Sequence, residues 1–257
     1  MKVKNIIELI ENKCPENLAY PWDNVGLLCG DKEKEIKKIF VTLDTNINTV
    51  KEAIEKNVDM IVSHHPILLG GIKRIDYSTS LGQMIKILIE NNIPLFAAHT
   101  NMDTAKGGIN DYLAELFSLS DIKILEQHTD DNTAGLGRFG KLKNKMKFGD
   151  FAKQCSKILN THIRVSGDME KIIETVAVAS GSCSEIIPTA KEKGADVIIT
   201  GDMKYHNMID MTELGICIID AGHYPTEICV MNIFEDILSN TDIEIIKSEN
   251  KDIFKFI

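Results

Sequence analysis

The residues with chemistry to offer fall into a few short clusters. His64 and His65 are adjacent and precede Pro66; His99, Asn101 and Asp103 lie in HTNMD; Asp202 and His206 lie in GDMKYH; His223 and Glu227 lie in GHYPTE. Imidazole nitrogen together with carboxylate oxygen suits Zn, Fe, Mn or Ni, and a site with several of each can hold two ions bridged by a carboxylate. Neighbours on a regular strand point to opposite faces. His64 and His65 can therefore serve one site only where a strand has ended and the backbone turns, as Pro66 suggests. Each residue also has a plainer reading. Either histidine alone could cap a buried strand end through backbone hydrogen bonds, and Asp103 could form a turn or cap a helix. Pro225 reads as a first helical position, which leaves His223 in a loop and puts Glu227 in the first helical turn. There Glu227 could simply complement the helix dipole, worth about 0.3–1 kcal/mol.

What must position these groups is an alternation of apolar, strand-length runs with segments of helical period, the pattern of an α/β fold with largely parallel strands. Strands are expected at Lys38 to Asp44, Asp59 to Ser63 and Pro94 to Ala98, with helices at Asn46 to Asn57 and Ser80 to Asn91. The second half repeats this grammar, with strands at Val176 to Ala179, Asp196 to Thr200 and Ile216 to Asp220. Its helices are expected at Ser184 to Lys193, at His206 to Leu214 and from about Pro225. The polar clusters all follow the C-terminal ends of these strands, where open α/β sheets form their binding crevices.

The halves also match residue by residue. EKNVDMIVSHH from Glu55 can be laid on EKGADVIITGD from Glu192 without a gap, and LFAAHT from Leu95 matches IIDAGHY from Ile218 with one inserted residue. The expectation is a first α/β lobe over 1–125, then a second lobe over 126–257. The stretch from Glu126 to Glu174 would carry the connection. Any two buried βα units look somewhat alike, which is the competing explanation of the match.

Composition narrows the classes. The chain has 257 residues, 44% hydrophobic, 26% charged and 6% aromatic, an ordinary globular profile able to bury a core without disulfides. A formal net charge of -9 disfavours bulk binding to nucleic acid or an anionic membrane. No apolar run approaches the roughly 20 residues of a membrane helix. The N-terminal MKVKNIIELIENK reads as an amphipathic helix rather than a signal peptide, so a cytoplasmic location is expected. The six cysteines form no C-x-x-C pair and are expected to be reduced packing residues. His128 and His162 fall in polar connecting sequence and read as solvated. GSCSE after VAVAS could present N–H groups to an anion or act as a plain helix cap. Walker, Rossmann and nucleophile-elbow spacings are absent.

Five ordered motifs, PWDNVGLLCGD, SHHP, HTNMDTAKGGIN, GDMKYH and GHYPTE, make the chain resemble the Nif-three-like dinuclear metal-centre family, whose members are described as GTP cyclohydrolase 1 type 2 homologues. The resemblance spans Trp22 to Glu227. It implies two related α/β lobes with mostly parallel strands and a metal site in the cleft between them, assembled as a homohexameric ring with two divalent ions per subunit. Carried over motif by motif, it implies His64, His65, Asp103, His223 and Glu227 as metal ligands, with Glu227 bridging. Longer members carry an inserted domain that this chain lacks.

The expected activity is hydrolytic opening of the GTP imidazole ring with release of formate. His99 is the first candidate for moving the proton and His206 the second, while Lys204 or Lys106 could meet the triphosphate. His99 has an equal claim as a residue that orients a ligand. The alternatives are a metal-handling or regulatory protein without this activity, and a phosphoesterase using the same ions.

Overall fold

The computed structural model describes residues 1–70, 72–127, 132–249 and 251–257, so His128 lies outside the described residues. In chain order the first elements are α1 (Val3–Glu11), β1 (Gly26–Cys29), β2 (Lys38–Thr42), α2 (Ile47–Glu55), β3 (Met60–Ser63), α3 (Ser80–Glu90), β4 (Leu95–Ala97) and α4 (Thr100–Thr104). Next come α5 (Ile109–Leu116), β5 (Ser120–Glu126), β6 (Leu136–Lys147), α6 (Phe148–Ile158), β7 (Arg164–Ser166) and β8 (Ile172–Ser182). Then follow α7 (Ile187–Glu192), β9 (Val197–Gly201), α8 (Tyr205–Glu213), β10 (Cys217–Asp220), α9 (His223–Glu227), α10 (Val230–Leu238) and β11 (Glu244–Lys247).

The chain divides into two compact units, Met1–Ala105 with Val230–Lys251, and Lys106–Cys229 with Asp252–Ile257. A single cut after residue 125 does not describe this division. The C-terminal segment returns to the first unit, where Glu244 to Lys247 pair in parallel with Lys38 to Val41. At the other end, α5 and all of β5 but its last residue lie within 1–125 yet belong to the second unit. The stretch expected as a connector supplies β6, α6 and β7 to the second unit.

The first unit is built on a five-stranded sheet in the order β1, β4, β3, β2, β11, with β1 antiparallel at one edge and the other four strands parallel. Its central strands are apolar at successive positions, as a sheet buried on both faces requires. Phe40, Ile61 and Leu95 pack with Val50 and Ala53 of α2 and Met84 and Leu88 of α3. Ile39, Val41, Met60, Val62 and Phe96 alternate with these and are also buried, on the opposite face by strand geometry. The amphipathic N-terminus forms α1 as expected and buries Val3, Ile6 and Ile10.

The second unit has a six-stranded sheet in the order β5, β6, β8, β9, β10, β7. The strands β8, β9 and β10 are parallel, and β6 and β7 flank them antiparallel. At the edge, β5 pairs antiparallel with β6. Each unit thus contains one run of three parallel strands laid down in sequence order, β2-β3-β4 and β8-β9-β10.

The internal repeat extends to individual hydrogen bonds. In the first unit Asp59 Oδ2 accepts from the amides of Lys37 (2.7 Å) and Lys38 (3.0 Å). In the second, the matching Asp196 Oδ2 accepts from Glu174 (2.9 Å) and Thr175 (3.0 Å). Lys34 Nζ donates to the carbonyls of Asp59 and Asn92, as Lys171 Nζ does to those of Asp196 and Gly215. The helix-to-strand turn takes a left-handed residue in both, Asn57 at φ 53° and Gly194 at φ 82°.

Candidate metal centre

In the first unit β3 ends at Ser63, and the chain turns so that both following imidazoles fall together, their ring centroids 4.9 Å apart. Three hydrogen bonds fix the turn: the His64 and His65 amides donate to the carbonyls of Thr42 and Leu43, and Ser63 Oγ donates to the His65 carbonyl. His99, just past the end of β4, brings a third ring, 5.2 Å from that of His64 and 5.4 Å from that of His65. One ligand atom from each of His64, His65 and His99 lies within 4.8 Å of the others.

Each ring is oriented through Nδ1. His64 Nδ1 lies 2.8 Å from the carbonyl of Ala98, His65 Nδ1 lies 2.7 Å from Asp44 Oδ1, and His99 Nδ1 lies 2.9 Å from Asp23 Oδ1. Those oxygens only accept, so Nδ1 carries the proton and, in the neutral imidazole, Nε2 presents a lone pair. This is how a protein fixes a metal-ligating histidine. His64 is wholly buried, and its Nε2 faces Asp103 Oδ1 at 3.8 Å, longer than a hydrogen bond. Asp103 itself is buried within α4, a helix of five residues too short to betray its period in the sequence. Burial opposes ionisation of Asp23. Hydrogen bonds from His99 and from the Thr100 hydroxyl and amide, with the attraction of His99, outweigh it and hold the carboxyl well below the usual carboxylate range.

The second unit supplies His223 and Glu227. Here the helix α9 begins at His223 itself, with Gly222 (φ 83°) as its cap and Pro225 in third place, so the expected loop position of His223 is corrected. The first helical amides have no intrahelical acceptor, so proline is tolerated at any of these positions and does not mark the first. His223 Nδ1 lies 2.8 Å from Asp202 Oδ2, and Nε2 lies 2.9 Å from Oε2 of the buried Glu227. Two lone pairs this close repel unless a proton or a cation lies with them, and an oxygen-and-nitrogen pair of this kind suits a divalent ion. Gly181, at φ 63°, makes room for the carboxylate: a Cβ there would overlap Glu227 Oε1 and crowd His223 Nε2. Its amide donates to Thr226 Oγ1 at 3.0 Å.

The other candidates are placed differently. His206 is exposed on the first turn of α8, its ring edge-on to Tyr205 at 5.5 Å. Lys106 and Lys204 are exposed. His162 is exposed and packs on Phe256 at 4.9 Å. Ser184 begins a 3-10 turn without a side-chain cap, and its hydroxyl accepts from Asn207. None of the six cysteines is in a disulfide and five are buried, and burial pushes the Cys14 thiol up to about 12, so no thiolate is on offer there. Sequence reasoning passed over Asp23, Asp44 and Gly181. Asp23 lay in PWDNVGLLCGD and Gly181 opened GSCSE, but each of the three contacts its partner across a long sequence separation. None of the described helices is long and apolar enough to cross a membrane.

Comparison with known proteins accords with this architecture. A protein described as GTP cyclohydrolase 1 type 2 homolog from Clostridium perfringens is 38% identical over 262 residues, covering 100% of both chains. Reduced HcgD from Methanocaldococcus jannaschii is 39% identical, with TM-score 0.85 over 97% of this chain and 98% of that one. A Bacillus cereus protein related to NIF3 superposes with TM-score 0.91 at 26% identity over 100% and 99% of the two chains. The model of the Duf34/NIF3 (NGG1p interacting factor 3) family matches residues 1–253, and the chain belongs to that family.

Proposed function

We propose that the chain holds two divalent ions through His64, His65 and Asp103 of the first unit and His223 and Glu227 of the second, and uses them to hydrolyse a purine nucleotide. The observation that carries this reading is the shared orientation of the imidazoles, each with Nδ1 against an oxygen acceptor, so that in the neutral ring Nε2 is the nitrogen with the lone pair. Bound divalent ions supply Lewis acidity and make water acidic enough to react near neutral pH. Asp44, Asp202 and the Ala98 carbonyl hold the rings in place. His99 takes and returns the proton, and buried Asp23 stabilises the imidazolium that forms. His206 is the second candidate for that role. The reaction is of the GTP cyclohydrolase 1 type 2 kind: water adds at C8, the imidazole ring opens and formate leaves, the remainder closing to dihydroneopterin triphosphate.

The test is formate release from GTP by protein loaded with Zn, Mn, Fe or Ni, beside His64→Ala and Glu227→Ala. Turnover that both variants abolish supports the reading. Stoichiometric metal without turnover overturns it in favour of a metal-handling or regulatory protein, and phosphate release in place of formate moves it to a phosphoesterase. The proposed ring of six copies is tested by light scattering, where a monomer would overturn it. Six cysteines outside disulfides suit a reducing compartment, and we propose the cytoplasm, which cell fractionation checks.

A further inference from the structure

We infer that Tyr20 and Trp22 form a stacking platform beside His99 that takes a flat, nitrogen-containing aromatic ring. This deepens the hydrolase reading and rests on it for the substrate class. Trp22 leaves 60% of its surface exposed, yet it is held from several sides. Tyr20 stacks on it, with ring centroids 5.9 Å apart and planes 18° from parallel. The His99 imidazole meets it edge-on at 6.0 Å and 75°.

The backbone on either side is fixed as well. The Tyr20 amide donates to Thr100 Oγ1 at 3.0 Å, and the Asp23 amide donates to the Tyr20 carbonyl at 2.9 Å. The side chain of Asp23, fully buried, accepts from the Thr100 hydroxyl at 2.6 Å and amide at 3.0 Å. An isolated exposed apolar side chain needs no explanation. An indole clamped by a second aromatic ring, in a turn with this many anchors, is preorganised instead, and its ordering cost is met before any ligand arrives.

The neighbourhood selects the occupant. Flat π-faces favour offset stacking with another flat ring, and every nucleobase has such a face. A ring laid against the indole would carry its edge toward His99, one member of the three-imidazole cluster, so the platform presents a heterocycle where the proposed chemistry acts on one.

Trp22 is the sole tryptophan, so its emission reports on this spot alone. The whole zinc-loaded protein is titrated with GTP, guanosine and inorganic triphosphate. Saturable quenching by GTP and guanosine, with triphosphate silent, is the expected result. By equilibrium dialysis Trp22→Ala should weaken guanosine binding by about tenfold, and Trp22→Phe should keep it within about threefold. Both variants should retain their zinc. Quenching by triphosphate with guanosine silent, or unchanged guanosine binding by Trp22→Ala, would overturn the platform. The two readings fail separately. Zinc retained without ring binding sinks the platform alone, whereas ring binding without formate release sinks the hydrolase reading alone.

Discussion

The two parallel β-α-β-α-β repeats share a scaffold and differ in what they place at its strand ends. The carboxylate under the middle strand, the left-handed turn before it and the lysine over the turn carbonyls recur in both. At the next two positions the repeats part: His64 and His65 in the first stand where Gly201 and Asp202 stand in the second. Gly201 gives close approach, since a Cβ there would collide with the backbone of Gly222 and His223. Asp202 orients His223 rather than offering a ring of its own. One later position is kept in kind, for His99 is followed four residues on by Asp103 and His223 by Glu227. Scaffold groups answer to backbone geometry that both repeats need, whereas the strand ends are free to diverge.

The largest expected difference between the units lies outside the repeat. Arg138 is buried on β6, forks onto both carboxylate oxygens of Asp111 at 2.7 and 2.9 Å, and donates to the carbonyls of Gly135 and Gly137. Arg138→Met leaves those acceptors and the carboxylate without a cation. It should cost about 3–5 kcal/mol, read as loss of amide-exchange protection in the second unit. Equal loss in both units would remove the basis for treating their stabilities separately.

The orienting carboxylates come next. Asp44→Ala and Asp202→Ala should each lower divalent-metal affinity by about 10–100-fold while leaving the fold intact, measured by competition with a chelating dye. If only one lowers it, the corresponding unit alone holds metal. If the double variant loses the product of the two single losses, the two carboxylates act independently.

How much of this was legible follows from the same comparison. Strands β2, β3, β4, β9 and β10 announce themselves as apolar runs because they are buried on both faces, and the histidines at their ends are found by counting forward. β6 reads LGRFGKLKNKMK, charged along its outer part and irregular in register, so no run marks it. β7 has three residues, and β11 is defined by pairing with β2 from the far end of the chain. The ligand candidates were visible for what they are, but Asp23 and Asp44 reach their histidines from 76 and 21 residues away. Nothing local distinguishes them from turn aspartates.

A smaller effect checks that the scaffold is truly repeated. Asp59→Ala and Asp196→Ala each remove a carboxylate that accepts two backbone amides at a partly buried strand start. Each should cost about 1.5–3 kcal/mol in denaturant unfolding, and the two costs should agree. A cost at Asp59 with none at Asp196 would mean that the hydrogen bonds match in geometry and not in energy.

The smallest effect concerns the left-handed turns, where the repeats use different residues for one conformation. Gly194 adopts φ 82° without strain, and a Cβ there meets nothing within 4 Å, so Gly194→Ala introduces backbone strain with no steric clash. The expected cost is about 1–2 kcal/mol. Asn57 already bears a Cβ at φ 53° and donates from its side-chain Nδ2 to the Glu55 carbonyl at 3.3 Å. Asparagine tolerates this region better than alanine does, so Asn57→Ala should cost less than Gly194→Ala, by about half. Asn57→Gly should change stability by a few tenths of a kcal/mol at most, the relief of strain offsetting the greater freedom of the unfolded chain. Unfolding midpoints at constant m-value give all three. Were Asn57→Ala the costlier, the side-chain amide would be holding the turn, and the two repeats would reach the same backbone by different means.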